Sequence, residues 1–389
     1  MNIAVIGAGN RARKYLSCLP GGVSVSCLVE PDPLRLQQTA RKYKVPLHGR
    51  FTSAEAFFAK KHDIQAVIVA APDKLHVPLS LEAVRRGWHV LVEKPVALSL
   101  EQYLELLNAS FESGVSVGVC LEMRFHPYFS RIKEIVSAGM LGEVKEIDHI
   151  EHIGPDRMAH TFVRGLWSRE EEAGPIFLSK CCHDADFLIW LTGESVVSAS
   201  SQGVIRKFRT DRAPYGATAR CIECPVADCP YSAVKLYRER REWVDGFDIP
   251  SGGTFEEVID AELATGRYGR CVYRCDNNVF DTQDVEAVLS NGIRLNIHLE
   301  GTSMEEGRST VIHGTKAVLT ATDWHISLVS ASGELLLDED FSSLANLPLH
   351  AGADRILVED FFHAISSGTE PLATLASALE GHRLCYLAL

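Results

Sequence analysis

Residues 3–6, Ile-Ala-Val-Ile, run directly into Gly7-Ala8-Gly9-Asn10-Arg11-Ala12. An apolar, β-branched run that ends on Gly-x-Gly-x-x-Ala constrains the fold more than any other feature of the chain. Gly7 permits a tight turn, Gly9 leaves the backbone open to close approach, and Ala12 lets the next helix pack tightly on the strand. Similar apolar runs follow at residues 23–29, 66–71, 89–92 and 115–119. They are nearly continuous, as expected of strands buried on both faces of a parallel sheet. Helical stretches lie between them. Thr52 with Glu55, and Ser99 with Gln102, fit capping boxes, while Gly87 and Gly114 stand where helices should stop. Such alternation predicts βαβ units in a doubly wound α/β sheet.

The pattern changes after residue 121. Helices are expected at 128–138 and 176–191, and strands dominate from Val196 onward. Asn291-Gly292 predicts a two-residue hairpin turn between runs at 285–289 and 293–299, with positive φ at both positions. Further strands at 309–313, 317–321 and 326–329 suggest an antiparallel meander, and helices at 354–365 and 375–387 close the chain. A chain of 389 residues is too long for one core. The expected division is a nucleotide-binding Rossmann domain over 1–121 and a substrate-binding α+β domain over 122–389. The second is built on a largely antiparallel open sheet, and its C-terminal helices are free to pack back on the first. Residues 207–270, rich in Arg, Gly and Pro, read as a flap-like excursion.

Composition excludes several roles. A formal net charge of −12 would repel a nucleic-acid backbone or an anionic membrane. No apolar run is long enough to span a bilayer, and no export signal is visible, so a cytoplasmic location is expected. Eleven cysteines in that setting are expected as thiols or metal ligands rather than disulfides. A meander sheet with one bare face would suit a second copy of the chain, so a homo-oligomer is expected.

The glycine turn opens a helix whose N–H groups and dipole would face a pyrophosphate. That makes Gly7, Gly9, Asn10, Arg11 and Ala12 the expected dinucleotide cradle. The second strand ends at Glu30, at the spacing of a ribose-binding acid. A carboxylate there accepts hydrogen bonds from a ribose 2′-hydroxyl and repels a 2′-phosphate, which favours NAD over NADP. Arg35 nearby weakens that preference.

Two later strands end in Ala71-Pro72-Asp73 with His76, and in Glu93-Lys94-Pro95. Downstream stand Arg124-Phe125-His126-Pro127, Leu141-Gly142-Glu143-Val144 and His183-Asp184-x-Asp186. In order and spacing the chain resembles the glucose–fructose oxidoreductase/inositol dehydrogenase/MocA family over nearly its whole length outside the excursion. The resemblance implies cofactor contacts from Ala71, Pro72, Asp73, His76, Glu93 and Lys94. It also implies a catalytic Lys94 beside a proline that often forms a cis bond. An ammonium there would orient a hydroxyl and stabilise developing alkoxide charge. His183 is the expected proton acceptor, because imidazole titrates near neutrality. On one continuous helix Lys180, His183 and Asp186 would share a face. Many members carry an aspartate four residues before this histidine, where Ser179 stands here. Lys180 adjoins it as a further catalytic candidate.

Arg124, His160, Arg164 and Trp167 join Lys180, His183 and Asp186 as expected substrate residues. Arginine would bind hydroxyls or an anionic group, and Trp167 would stack on a sugar face. The substrate expected is a small carbohydrate or polyol, with NAD-linked hydride transfer at a secondary hydroxyl of a sugar, sugar acid, cyclitol or glycoside. Two alternatives stand beside it: a redox-neutral, NAD-dependent glycosidase, and a non-catalytic nucleotide-responsive module on the same fold. In the excursion, Cys221-x-x-Cys224 and Cys229 are candidate ligands of a structural zinc, with a fourth from Cys271 or Cys275.

Overall fold

The strand that precedes the glycine turn is the centre of the first sheet. β1 (Asn2–Ile6) pairs in parallel with β2 (Ser24–Val29), which pairs with β3 (Arg50–Phe51). On its other side β1 pairs with β4 (Ala66–Val69), followed by β5 (His89–Val92) and β6 (Val117–Val119), all parallel. The order β3-β2-β1-β4-β5-β6 reverses between β1 and β4. That is where a doubly wound sheet opens a crevice at its carboxyl edge. Every residue of β4 is buried, which explains its unbroken Ala-Val-Ile-Val. The molecule is a computed structural model that describes residues 1–389 except 241, 242, 245, 246, 248, 250–252 and 346. Part of the expected excursion therefore lies outside the described residues.

The chain divides into two compact units. The first comprises Met1–Ala138, Cys182–Gly193 and Asp340–Tyr386. The helix Ala353–Ser367 joins the core around the parallel sheet through Leu357, Val358, Phe361 and Phe362. Gly118 in β6 makes this possible, since a Cβ there would lie 2.8 Å from the Phe361 ring. Ser99 accepts the Gln102 N–H at the start of the helix Leu100–Ser113, the hydroxyl half of the expected capping box, and Gly114 ends the helix at φ 67° as the sequence predicts. The cap at 52–55 is displaced by one residue: Ser53, not Thr52, accepts the Ala56 N–H.

The second unit comprises Gly139–Cys181, Glu194–Glu339 and Leu387–Leu389. It holds β7 (Val144–His152), β8 (Val196–Val204), β9 (Thr282–Leu289), β10 (Arg294–Glu300), β11 (Gly307–Gly314), β12 (Ala317–Thr322), β13 (His325–Ser330) and β14 (Leu335–Asp340). Their order is β14-β13-β12-β11-β7-β10-β9-β8, with β7 and β10 parallel. The largely antiparallel sheet is as expected, but β7 was not. Its buried positions include His149 and Glu151 beside Ile147, so its alternation does not read as apolar against polar. The β9–β10 turn also differs. Of Asn291 and Gly292 only Gly292 has positive φ, and Leu289 and Ile293 close a three-residue loop. This is a type I turn with a bulge at glycine rather than a two-residue turn. The excursion is no bare flap. Its helices Ala233–Glu239 and Phe255–Ala264 form a small core with Tyr237, Val244 and Leu263, and Thr254 and Glu257 make a capping box.

Candidate active site

Gly7 takes φ +93°, and a Cβ there would lie 2.3 Å from the Ala70 carbonyl oxygen beyond β4, so no other residue fits. Its N–H donates to Val29 O at 2.8 Å, tying the turn to β2. Gly9 is the N-cap of the helix Asn10–Ser17, which has no side-chain cap and no acid in its first turn. A Cβ on Gly9 would meet no protein atom within 4 Å, while Ala12 is fully buried. The first-turn N–H groups thus face open space, the arrangement that receives a pyrophosphate. Glu30 is buried under this turn. Its Oε2 accepts the Ala8 N–H at 2.8 Å, and its Oε1 accepts the Asp32 N–H at 3.0 Å and faces Arg35 at 3.4 Å. A carboxylate has lone pairs to spare beyond these, so ribose hydroxyls fit the same group.

Not every residue of the expected cradle offers its side chain to a ligand. The Arg11 guanidinium turns inward to Glu93 Oε1 (2.8 Å) and Asp354 Oδ1 (2.9 Å), lying over the Tyr15 ring. His76 is 1% exposed, with Nδ1 2.7 Å from Pro95 O and Nε2 2.8 Å from Ala71 O, so it braces the ends of two strands. Asp73 is buried, whereas Asn10 and Pro72 are exposed and Ala71 is half-buried.

The Lys94-Pro95 peptide is cis. Glu93, just before it, accepts from Arg11, from the Tyr15 hydroxyl (2.5 Å) and from the Lys94 N–H (2.9 Å). Burial, the largest influence, opposes its ionisation, but the Arg11 charge and the hydrogen bonds from Tyr15 and Arg11 together outweigh it, and its carboxyl sits below the ordinary value. Burial also disfavours the Lys94 ammonium. The neighbouring Cys182 sulfur and the Glu93, Asp73 and Glu122 carboxylates prevail and hold its pKa above the usual one. The Cys182 thiol, next to His183, is pushed up to about 12 by burial.

Glu122, absent from the expected set, is the hub of this region. Its Oε1 lies 3.5 Å from His183 Nε2, 3.6 Å from Arg11 Nη2 and 3.7 Å from His350 Nδ1. Glu122, His350 and Asp354 place one ligand-type atom each within 4.8 Å of one another. His350 sits in a run, Leu349 to Ala351, with φ between 50° and 56°. Three successive non-glycine residues in the left-handed region store strain of the kind found beside functional sites. A glutamate three residues after β6, outside every motif named above, carries no spacing signal, so only the fold reveals it.

The continuous helix expected at 176–191 is two helices, Ile176–Ser179 and Cys182–Thr192. Lys180 stands between them, as the C-cap of the first. It lies in the second unit, where its Nζ pairs with Glu151 at 2.5 Å, and Glu151 also pairs with Arg308 at 2.8 Å. Arg124 and Asp186 are likewise corrected. All five guanidinium N–H groups of Arg124 are engaged: two on Asp186 (2.8 and 2.6 Å) and the rest on Leu372 O, Ser377 Oγ and Ser377 O. Both are nearly fully buried. The pair clamps the helix that carries His183 and leaves no donor for a substrate.

His160 and Arg164 are withdrawn from the substrate for a similar reason. His160 stacks on Tyr268 at 4.6 Å and meets Tyr237 Oη at 3.0 Å, and burial pushes its pKa down to about 4. Arg164 is fully buried on excursion carbonyls. Both anchor the excursion. Trp167 is half-buried in the same unit.

Among the described residues no helix is long and apolar enough to cross a membrane. The Bacillus subtilis protein YteT, named as an oxidoreductase, is 24% identical over 397 residues, covering 95% of this chain and 90% of its own length. The scyllo-inositol 2-dehydrogenase (NAD(+)) of the same organism is 28% identical over 52% of this chain, which spans only 57% of that protein. Solved structures share the fold. An oxidoreductase from Agrobacterium radiobacter in complex with NAD+, L-tartaric acid and magnesium superposes with a TM-score of 0.71 at 16% identity, covering 100% of this chain and 95% of that one. Scyllo-inositol dehydrogenase from Lactobacillus casei, with bound NAD(H) and scyllo-inositol, gives 0.67 at 16% identity over 99% and 95%. The family model described as an oxidoreductase family with an NAD-binding Rossmann fold matches residues 1–120, and that of its C-terminal alpha/beta domain matches residues 133–388. With both domains matched, the chain belongs to the glucose–fructose oxidoreductase/inositol dehydrogenase/MocA family and is an NAD-binding oxidoreductase.

Proposed function

We propose that the protein is an NAD-linked dehydrogenase acting on a secondary hydroxyl of a sugar, sugar acid or cyclitol. The observation that carries this reading is the convergence on Glu122. The same carboxylate contacts His183 and acts electrostatically on Lys94. A proton acceptor and a hydroxyl-orienting cation thus share one neighbour, at the carboxyl edge where this fold binds ligands.

The uncapped helix at Gly9, the open space above it and the buried Glu30 carboxylate fit a dinucleotide. NAD, when bound, supplies a hydride acceptor. Gly9 and the first-turn N–H groups would hold the pyrophosphate, and Glu30 the adenosine ribose. Lys94, kept charged by surrounding carboxylates, donates to the substrate oxygen and favours its developing negative charge. His183 takes the hydroxyl proton, and Glu122 stabilises the imidazolium that results. The carbohydrate class is supported by the names of the relatives and by the Lys94/His183 pair.

The test is a panel of sugars, sugar acids and cyclitols with NAD, followed by NADH absorbance, with Lys94→Ala as control. A substrate oxidised by the native protein and not by the variant is expected. Aglycone release from glycosides without net NADH would overturn the reading, as would unchanged activity in Lys94→Ala.

A further inference from the structure

Arg164 poses a problem in charge. Its side chain is fully buried in the second unit, and among the described residues no carboxylate lies within ion-pair distance. Nε donates to Arg270 O (2.7 Å), and Nη2 donates to Tyr231 O (2.6 Å) and faces Cys221 Sγ at 3.5 Å. A buried guanidinium without a counter-ion costs several kcal/mol, on the order of a broken buried ion pair. The groups gathered around it are thiols.

Cys221, Cys224, Cys229 and Cys271 line one cavity of about 340 Å³. Two local features bring them there. An antiparallel bridge between Arg220 and Arg270 sets Cys221 beside Cys271, and Cys271 N–H donates to Ala219 O at 2.9 Å. The short helix Cys221–Glu223 turns the chain so that Cys224 N–H donates to Cys221 O. Three of the sulfurs then receive a backbone N–H from the residue two places on: Cys224 from Val226, Cys229 from Tyr231 and Cys271 from Tyr273. Arg164 serves the fourth. Every sulfur in the cavity thus has a neighbouring donor that would serve a metal-bound thiolate. Cys275 does not line the cavity, and its thiol donates to Cys271 O at 3.3 Å.

We propose that Cys221, Cys224, Cys229 and Cys271 bind one zinc ion as a tetrathiolate site, with Arg164 as its buried counter-charge. Four thiolates around a dication leave an excess of negative charge, which is what the guanidinium lacks. Among the described residues no three of these sulfurs lie within 4.8 Å of one another. The ion therefore draws them together and couples binding to the closure of residues 221–232 on Cys271. Binding releases the thiol protons. The site lies in the excursion and has no part in hydride transfer.

The experiment uses the full chain, purified with its thiols reduced. Elemental analysis should find one zinc per chain, or uptake of one on adding Zn²⁺. Cobalt in its place should show the visible bands of a tetrahedral ion and an intense thiolate charge-transfer band. Cys224→Ser and Cys271→Ser should weaken metal retention against a chelator by roughly tenfold or more, and Cys275→Ser should leave it unchanged. If a serine variant fails to fold, the cobalt spectrum of the native chain still decides, because its charge-transfer intensity counts thiolate ligands. No metal bound or taken up would overturn the proposal. So would a cobalt spectrum without thiolate ligation, an iron–sulfur chromophore, or loss of metal in Cys275→Ser with retention in Cys271→Ser.

Discussion

Glu122 Oε1 stands 3.5 Å from His183 Nε2, so the expected proton acceptor has a carboxylate neighbour supplied from outside its own helix. Ser179 occupies the place where many family members carry an aspartate. Glu122→Gln keeps the size and loses the charge that would stabilise imidazolium. Turnover should fall roughly tenfold or more, with NAD affinity nearly unchanged. The pH–rate profile should shift too, with the apparent pKa of the acidic limb, set by the base, lowered. An unchanged profile would assign Glu122 to the Arg11 network alone.

His183→Ala and Lys94→Ala should each lower turnover by about two orders of magnitude or more. Dinucleotide affinity should change far less for His183→Ala, since Gly9 and Glu30 lie elsewhere. The double variant should be little worse than the poorer single one, because both act on one proton transfer. Steady-state kinetics and cofactor titration together check this, and full activity in His183→Ala would place the base elsewhere.

NAD should bind more tightly than NADP, because the buried Glu30 carboxylate would face the adenosine ribose and repel a 2′-phosphate. Glu30→Gln should narrow the difference, with Arg35 then free to favour a 2′-phosphate. Titrating both cofactors into both proteins checks the point; equal affinities in the native chain would refute it.

Arg11 holds Glu93 and Asp354 at 2.8 and 2.9 Å. Arg11→Met strands two buried carboxylates and should cost about 3 kcal/mol or more of stability in denaturant unfolding. A loss below about 1 kcal/mol would show that the carboxylates find other partners or take up protons.

His382 is fully buried, accepts the Val96 N–H on Nε2 (3.2 Å) and donates from Nδ1 to Ala378 O (3.0 Å). Burial pushes its pKa down from 6.5 to about 4. In that window the unfolded chain binds the proton and the folded chain does not, so stability is complete above pH 6.5 and falls as pH drops toward 4. The loss approaches roughly 3 kcal/mol at most. Unfolding curves from pH 7 to 4.5 should show it, and His382→Gln should flatten the dependence.

The parallel sheet was legible because its signals are local. Val67, Ile68 and Val69 are buried on both faces and must be apolar, and Gly7 occupies a turn that admits no Cβ. Ser99 and Gly114 satisfy the ends of their own helix. Lys94 and His183 stand in motifs that the sequence shows at the end of a strand and within a helix. By contrast, β7 hides its inward face behind His149 and Glu151. The Thr254–Glu257 capping box was present in the sequence, but the composition around it drew the reading toward a flap. The charged residues are where sequence falls short. Arg124, Arg164 and Lys180 look like ligand-binding cations in a linear chain, yet their partners lie 62, 106 and 29 residues away. A charge takes its role from the groups that desolvate and neutralise it. Those groups are assembled by packing, so Arg124 became a clamp, Arg164 an anchor and Glu122 a hub only once the chain had folded.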